Sequence, residues 1–437
     1  MAKNVKCRWL ALALAAALVG CGSGDSSSRA AASIEESAAD TTTTTTAPEE
    51  PASEEESTPD PAPEPEVESC KIEDESFGIY KSNTYFSTGN NGLADAESTT
   101  FRAFLPVEEY GELEYRFYFS NTVDSTYSRG DPVYVGRPGG EYEIESAFVY
   151  ALPDTEAPEP EDKTPVTFDG AAGRSVSAGE SFWSDSLTLE VPEGSYLVWE
   201  WTLTGKDIPA TNISELTLAR QRTGDGEYEY LSDCPLPVLV GAKRSADHRL
   251  CFVGDSITQG CQTEYMKFEY WAARIAQQLP ESVSTWNCGL GWARASDLAT
   301  CGSWLGRALN CETIVLAFGT NDLTSGEYGR QGRNNGNNAD ELLGFMTTIL
   351  DQCRAAGIER VIVFNAPPQD YNEKVEAQRV DYNERLRDLC EEKGAEYFDF
   401  AALLCDPETP AAAKYGGHPN GEAGAIVAEA FLEQFSF

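Results

Sequence analysis

Apolar and polar positions follow two different rhythms along this chain. Between residue 70 and about residue 245 the apolar side chains come in short alternating runs: "LEYRFYFSN", "YEIESAFVYAL", "TPVTFDG", "SLTLEVP" and "YLVWEWTLTG". Gly, Pro, Asp and Ser punctuate them at short intervals, and little helical periodicity interrupts the pattern. This predicts an all-β sandwich or jelly roll. From about Asp247 the rhythm changes. "LCFVG" (250–254) reads as a buried strand, and "FEYWAARIAQQL" as an amphipathic helix with Trp271, Ile275 and Leu279 on one face. "VSTWNC" is a second strand, followed by a helical stretch through Leu298 and Leu305. "TIVLAFG" is a third, and a helix from about Ala339 to Ala356 leads to a fourth, "RVIVFN". A charged helix, about 373 to 393, leads to "AEYFDF", and a last helix runs from about Asn420 to Phe435. Such alternation predicts a three-layer α/β/α domain over 246–437, its parallel sheet in the flavodoxin-like order 2-1-3-4-5.

That order locates a crevice. Ligands of open α/β sheets bind outside the carboxyl ends of the strands, where the strand order reverses. Here the reversal lies between the first strand, which runs into "GDSITQG" (254–260), and the third, which runs into "GTND" (319–322). A hydroxyl, Ser256, and a carboxamide, Asn321, are thereby expected at one place, each flanked by glycine.

The N-terminus adds a different picture. Lys3, Lys6 and Arg8 precede an apolar run from Trp9 to Val19, which reads as an export signal over 1–21 and is too short to span a bilayer. From residue 22 to 69 the chain is Thr, Pro, Glu and Ser, with thirteen acidic residues and one basic, Arg29, between Cys21 and Cys70. Such a segment cannot build a core, repels itself and reads as an acidic, disordered spacer. The remaining 368 residues keep 28 basic against 59 acidic side chains. This surface argues against nucleic acid and anionic polymers and favours neutral substrates. Ten of the twelve cysteines lie beyond the signal and Cys21. In an exported protein they are compatible with up to five disulfides; reduced, buried thiols are the other reading. No C-x-x-C pair occurs, and two histidines cannot complete a repeated zinc pattern, so no structural metal and no cofactor are expected.

The chemistry is constrained by those two histidines. A serine hydroxyl is a poor nucleophile until a base takes its proton. His248 precedes the first strand and belongs at the amino end of the sheet. His418, in "KYGGHPNG" (414–421), follows the fifth strand and belongs at the carboxyl end with Ser256, so His418 is the candidate base. An acyl-transfer intermediate needs oxyanion donors. Asn321 and the Ser256 N–H can serve, with a further N–H from the turn "NCGLGWARA", where Gly289 and Gly291 let the backbone approach. Two competing readings remain. Ser256 can simply cap a helix, and a strand–glycine turn–helix can cradle phosphate, although the P-loop lysine and the G-x-G-x-x-G spacing are missing.

"GDSITQG", the glycine turn of "NCGLG", "GTND" and "HPNG" stand in the order that resembles the SGNH (GDSL-type) hydrolases, over about residues 249–437. The resemblance implies Ser256 as nucleophile, His418 as base, and Gly291 and Asn321 as contributors to the oxyanion hole. "PVTFDGAAGRSVSAGESFWSDSLTLEVPEG" similarly looks like the β domain attached to some extracellular members, and "LVGC" ending at Cys21 resembles a bacterial lipobox. The latter implies lipidation of Cys21 and anchoring on the outer face of the envelope, the membrane being met only through that lipid. Two positions depart from the family pattern. Tyr415 stands where an aspartate usually precedes the histidine by three, so a Ser–His dyad oriented by a backbone carbonyl is expected, with Asp406 as an alternative orienter. Trp292 stands where a glycine often follows the second-block asparagine by five.

The expectation is therefore a serine esterase removing small acyl groups, acetyl foremost, from carbohydrates. A lipase or lysophospholipase of the same family, or an inactive polysaccharide-binding lipoprotein, are the alternatives. The β domain has two candidate roles, carbohydrate binding or shaping a neighbouring site. The polar loop 324–338 is expected to wall the substrate site. Trp286, Trp292 and Trp304 could stack on sugars, with core packing the expected use of at least two of them.

Overall fold

In a computed structural model the described residues are 67–125, 135–324 and 338–437. The export signal, the Cys21 lipidation site, nearly all of the acidic spacer and all but the ends of loop 324–338 lie outside them.

Strand β1 (Gly92–Leu105) pairs antiparallel with a long strand later in this half of the chain. Strands β2 (Gly111–Ser120) and β3 (Tyr142–Leu152) follow, then that long strand, β4 (Tyr196–Asn212), and β5 (Leu239–Ala242). They divide between two antiparallel sheets. β1, β4 and β3 form the centre of one, while β2 and β5 form the centre of the other. Phe117 and Phe119 of β2 point across to Trp199 and Trp201 of β4, with ring centroids 4.8 Å (Phe117–Trp199) and 5.4 Å (Phe119–Trp201) apart. All four rings are buried. Period-2 alternation thus places one aromatic face of each sheet against the other, forming a β-sandwich core.

The second half carries five parallel strands: β6 (His248–Gly254), β7 (Val283–Asn287), β8 (Thr313–Ala317), β9 (Arg360–Phe364) and β10 (Glu396–Phe398). Their spatial order is β7-β6-β8-β9-β10, every neighbouring pair parallel. β6 and β8 are adjacent, so the chain turns "GDSITQG" and "GTND" leave the sheet side by side.

Helix boundaries show where local signals prevail. The helix Ala339–Ala355 starts at Asn338, whose side chain accepts from the Glu341 N–H at 2.9 Å while Glu341 reaches back, a capping box. The helix Glu373–Lys393 is capped by Asn372 and stopped by Gly394 in a left-handed conformation (φ 69°). Two expected helices are shorter than their apolar pattern. The one read from Phe268 begins only at Trp271, because Met266 and Phe268 themselves adopt positive φ (60° and 50°). The stretch through Leu298 and Leu305 is two helices, Ala295–Leu298 and Ser303–Ala308. They are separated at Cys301 (φ 59°), which is disulfide-bonded to Cys70.

That is the one disulfide among the described residues, far from the five the cysteine count would allow. Cys234, Cys251, Cys288, Cys311, Cys353 and Cys390 are instead buried thiols packed with apolar neighbours. There they act as small hydrophobes, and burial pushes the Cys353 and Cys390 thiols up to about 12.

The two halves share one hydrophobic cluster and form one compact unit. Ser87 donates to the Gly289 carbonyl, and Thr84 bridges to Trp286. Asp124 receives both terminal nitrogens of Arg307 in an ion pair with no exposed side-chain surface.

Candidate active site

Gly254 ends β6 with no room for a side chain. A Cβ there would stand 2.1 Å from Thr258 Oγ1 and 2.6 Å from the Ala317 carbonyl. The chain then turns sharply into the short helix Ser256–Gln259. Asp255 caps it by accepting from the Ile257 N–H at 2.9 Å, and Gly260 (φ 105°) stops it. Ser256 is therefore the first residue of a helix, where backbone N–H groups have no partner within the helix. The capping oxygen belongs to Asp255, which leaves the Ser256 hydroxyl for other work.

That hydroxyl lies 2.9 Å from Nε2 of His418. For Nε2 to accept, the imidazole proton must sit on Nδ1. His418 lies between the Gly416 turn (φ 86°) and the helix Gly421–Gln434, whose cap, Asn420, accepts from the Ala423 N–H at 3.1 Å. Burial lowers the His418 pKa below its ordinary value, so the ring is neutral at pH 7. His248 sits at the far, amino end of the same sheet, 3.0 Å from the Thr313 hydroxyl.

No carboxylate meets His418 among the described residues. Tyr415, at the position three residues before it, packs on the apolar core with Lys414 Nζ 4.8 Å from its ring centre. Asp406 lies in a small two-stranded ribbon and accepts from the Glu408 N–H at 2.9 Å; no hydrogen bond links it to the histidine. The loop after β9 takes part instead. Gln369 Nε2 donates to the Gly417 carbonyl, and Asp370 Oδ1 accepts from the Ala413 N–H at 3.2 Å.

The other two blocks meet beside Ser256. Gly319 (φ 128°) begins the turn after β8; a Cβ there would stand 2.6 Å from that of Ala366. Asn321 follows on the helix Thr320–Thr324. One hydrogen of its Nδ2 goes to the Ala293 carbonyl at 3.0 Å, and the amide group has a second to give. Leu290 to Ala293 form a β-turn closed by the Ala293 N–H and the Leu290 carbonyl at 3.1 Å, with Trp292 in the left-handed conformation (φ 65°). Glycine is favoured at that place in a type II turn. Tryptophan keeps the backbone conformation at a cost of about 1–2 kcal/mol. Trp292 lines the cavity, whereas Trp286 and Trp304 are core residues whose indoles donate to the Val238 and Cys288 carbonyls.

Ser256, His418, Gly291 and Asn321 all line one cavity of about 830 Å³. Beneath it lies a charge cluster that the sequence reading missed. Asp322 accepts from the Ala295 and Ser296 N–H groups, at 3.1 and 3.4 Å, and so ties the segment after the Leu290–Ala293 turn to the "GTND" block. Burial raises its pKa, and burial likewise pushes Asp255 and Asp297 up to about 7, with the charge of Asp322 adding to both. Arg294 pairs with Asp297. Asp322 and Gln369 were both within reach of the strand-end rule, since each follows the carboxyl end of a parallel strand. The β-half residues that line the cavity carry no such signal. No group of three or more His, Cys, Asp or Glu side chains is arranged to hold a metal ion among the described residues.

Residues 252–426 match the model of the GDSL-like Lipase/Acylhydrolase family. Among solved structures, an acetylxylan esterase from Geobacillus stearothermophilus is 18% identical, with 45% of this chain and 97% of that one covered and a TM-score of 0.37. A lipolytic protein of the G-D-S-L family from Veillonella parvula is 18% identical, with 43% and 98% covered and a TM-score of 0.33. No curated protein matches the chain. Residues 252–426 thus form a GDSL-like lipase/acylhydrolase domain within the α/β half.

Proposed function

We propose that the protein is a serine esterase that removes small acyl groups, acetyl foremost, from carbohydrates. The observation that carries this reading is the 2.9 Å approach of Ser256 Oγ and His418 Nε2 in a cavity also lined by Asn321 and Gly291. His418 takes the Ser256 proton as Oγ bonds to the ester carbonyl carbon. The Ser256 N–H, the Asn321 amide and an N–H of the Gly291 turn face the resulting oxyanion. The carbon–oxygen ester bond then breaks, and the imidazolium passes its proton to the departing sugar oxygen. Water, deprotonated by the same histidine, cleaves the acyl-enzyme and releases the carboxylic acid. No cofactor takes part.

Substrate class rests on the walls. Around the dyad they offer carboxamides and hydroxyls (Asn212, Ser214, Ser232, Gln262, Thr263, Asn372), with Val375 the one aliphatic side chain lining the cavity among the described residues. A lipase needs a long apolar slot, so this lining favours the carbohydrate reading over a lipase or lysophospholipase. The intact Ser–His geometry favours an enzyme over an inactive polysaccharide-binding lipoprotein. The lipobox-like "LVGC" supports placing this enzyme on the outer face of the cell envelope, tethered through a lipid on Cys21 and the acidic spacer.

The test is hydrolysis of p-nitrophenyl acetate, and acetate release from O-acetylated oligosaccharides, by the protein beside Ser256→Ala and His418→Ala. Turnover that both substitutions abolish is the expected result. A folded protein whose turnover survives Ser256→Ala overturns the mechanism.

A further inference from the structure

The antiparallel half is not an appended module: it forms a wall of the catalytic cavity. We propose that the segment Asn212–Glu215, with Tyr230, is a subsite for the uncharged sugar rings that flank the acylated one. This rests on the carbohydrate-esterase reading and says which part of the chain selects the leaving group.

Three observations carry it. First, Asn212, Ser214, Glu215 and Tyr230 line the same cavity as Ser256 and His418. Secondly, the segment is locked to the catalytic turns. Gln259, three residues beyond the nucleophile, donates to the Asn212 carbonyl at 2.6 Å and accepts from the Ser214 hydroxyl at 3.3 Å. Asn91 accepts from the Asn212 N–H at 2.9 Å and donates to the Gly291 carbonyl at 3.2 Å. The wall and the oxyanion turn are therefore held by one side chain. Thirdly, Ser214 and Glu215 both adopt left-handed φ (52° and 59°), a strained conformation for two consecutive non-glycine residues. The surrounding bonds fix it, and it sets the exposed Glu215 on the cavity wall.

The chemistry of the wall selects the ligand. Tyr230 and Tyr265, also on the cavity, are 51% and 47% exposed, a large aromatic surface left open at the cavity. A phenol ring presents its face to the apolar C–H side of a sugar ring, while Ser214, Ser232 and Asn212 meet hydroxyls. Glu215 and Asp370 are the charged side chains of the lining, and no Lys or Arg joins them among the described residues. Uronic acids, sulfated sugars and nucleic acids are repelled; neutral rings are accepted.

Two substitutions test this in the full chain, Tyr230→Ala and Glu215→Asn, the latter keeping a residue that tolerates left-handed φ. The readout is the ratio of kcat/KM for partially O-acetylated hexasaccharides of glucose and of xylose to kcat/KM for p-nitrophenyl acetate, which has no sugar ring. We expect Tyr230→Ala to lower the ratio at least ten-fold, through KM, and Glu215→Asn to change it several-fold. A ratio within two-fold of the parent for both variants and both sugars overturns the proposal. If the parent turns over neither substrate, the esterase reading falls and binding decides the subsite. The unmodified hexasaccharides are then titrated into Ser256→Ala protein, with and without Tyr230→Ala. Affinity weakened at least five-fold by losing Tyr230 keeps the subsite; equal affinity, or none at millimolar sugar, removes it.

Discussion

Breaking the Arg307–Asp124 pair is expected to cost more stability than removing any exposed ion pair of this chain. The two side chains have no exposed surface, and they join the antiparallel half to the helix Ser303–Ala308 of the α/β half. Asp124 Oδ1 accepts from Arg307 Nη1 and from the Ser303 hydroxyl, both at 2.9 Å. Its Oδ2 accepts from Arg307 Nη2 at 2.6 Å and from the Asn90 N–H at 2.9 Å. Removing one partner of a buried pair costs about 3–5 kcal/mol, because the survivor stays charged and dry. The two single substitutions are not equivalent. After Arg307→Met the carboxylate keeps two donors, so the loss belongs near the lower end, about 3 kcal/mol. After Asp124→Leu the guanidinium keeps none, and its Nε already lacks a partner, so the loss belongs near the upper end, about 5 kcal/mol. In the double variant no charge is left buried, and the loss relative to the parent is about 1–2 kcal/mol of packing. Urea unfolding, followed by tryptophan fluorescence and far-UV circular dichroism, measures the whole cycle. Urea is chosen because it adds no ionic strength. An Arg307→Met loss below about 1 kcal/mol, or a double variant that loses the sum of the singles, refutes the reasoning. Separate transitions for the two halves would refute the claim that they fold as one unit.

Three further outcomes follow from the site. Because the neutral imidazole acts as the base in this reading and burial lowers its pKa, kcat/KM should fall on the acid side with a midpoint below the ordinary histidine value; a midpoint above it sinks the assignment of His418 as a buried base. Asn321→Ala should lower kcat by about 10²–10³ with little change in KM, and a loss confined to KM would take the amide out of the oxyanion hole. Asp255 has its carboxyl raised to about 7, by burial first and then the charge of Asp322, so the folded state holds this proton where the unfolded chain has released it. Its contribution to stability is therefore full below its unfolded pKa of 3.8 and is lost as pH rises to about 7. The Asp255→Asn protein should gain melting temperature relative to the parent as pH goes from 4.5 to 7, and a difference that does not change with pH counts against the shift.

Much of the α/β half was legible because its signals are local. Each buried strand is a short apolar run ending in glycine or a polar turn, and Asn338 and Asn372 mark helix starts by their side-chain chemistry. The Ser256–His418 pairing was legible for a rarer reason: two histidines and one sheet order leave a single base at the correct end. Where the reading failed, the determinants were not local. β1 escaped notice because its first half is polar and half-exposed, and only pairing with β4 makes it a strand. Phe268 ought to extend its helix by pattern, yet it is held at φ 50° and buried. The buried thiols read equally as disulfide partners, since spacing carries no distance information. Gln259 and Asn91 bind the β half to the turns at the cavity across 47 and 200 residues respectively, and no period or motif announces such contacts.

The missing aspartate has a chemical meaning once the surroundings of His418 are considered together. In a triad the carboxylate does two things: it fixes the ring's orientation and it stabilises the imidazolium formed when serine gives up its proton. Here the loop itself is held, by Gln369 at the Gly417 carbonyl, Asp370 at the Ala413 N–H and Asn420 at the next helix. Orientation can thus come from the backbone. Charge stabilisation cannot, and burial works against the imidazolium. Within acylation, the attack of Ser256 is therefore harder than in a triad, because the base is weaker. The departure of the sugar oxygen that follows is easier, because a histidine with a lowered pKa is a stronger acid when it is charged. A sugar alkoxide is a poor leaving group that must be protonated as it departs, so the proton donor matters more for a sugar ester than for an activated one. A dyad of this kind loses least, relative to a triad, on substrates whose leaving oxygen most needs the proton, and alkyl esters of sugar hydroxyls are such substrates.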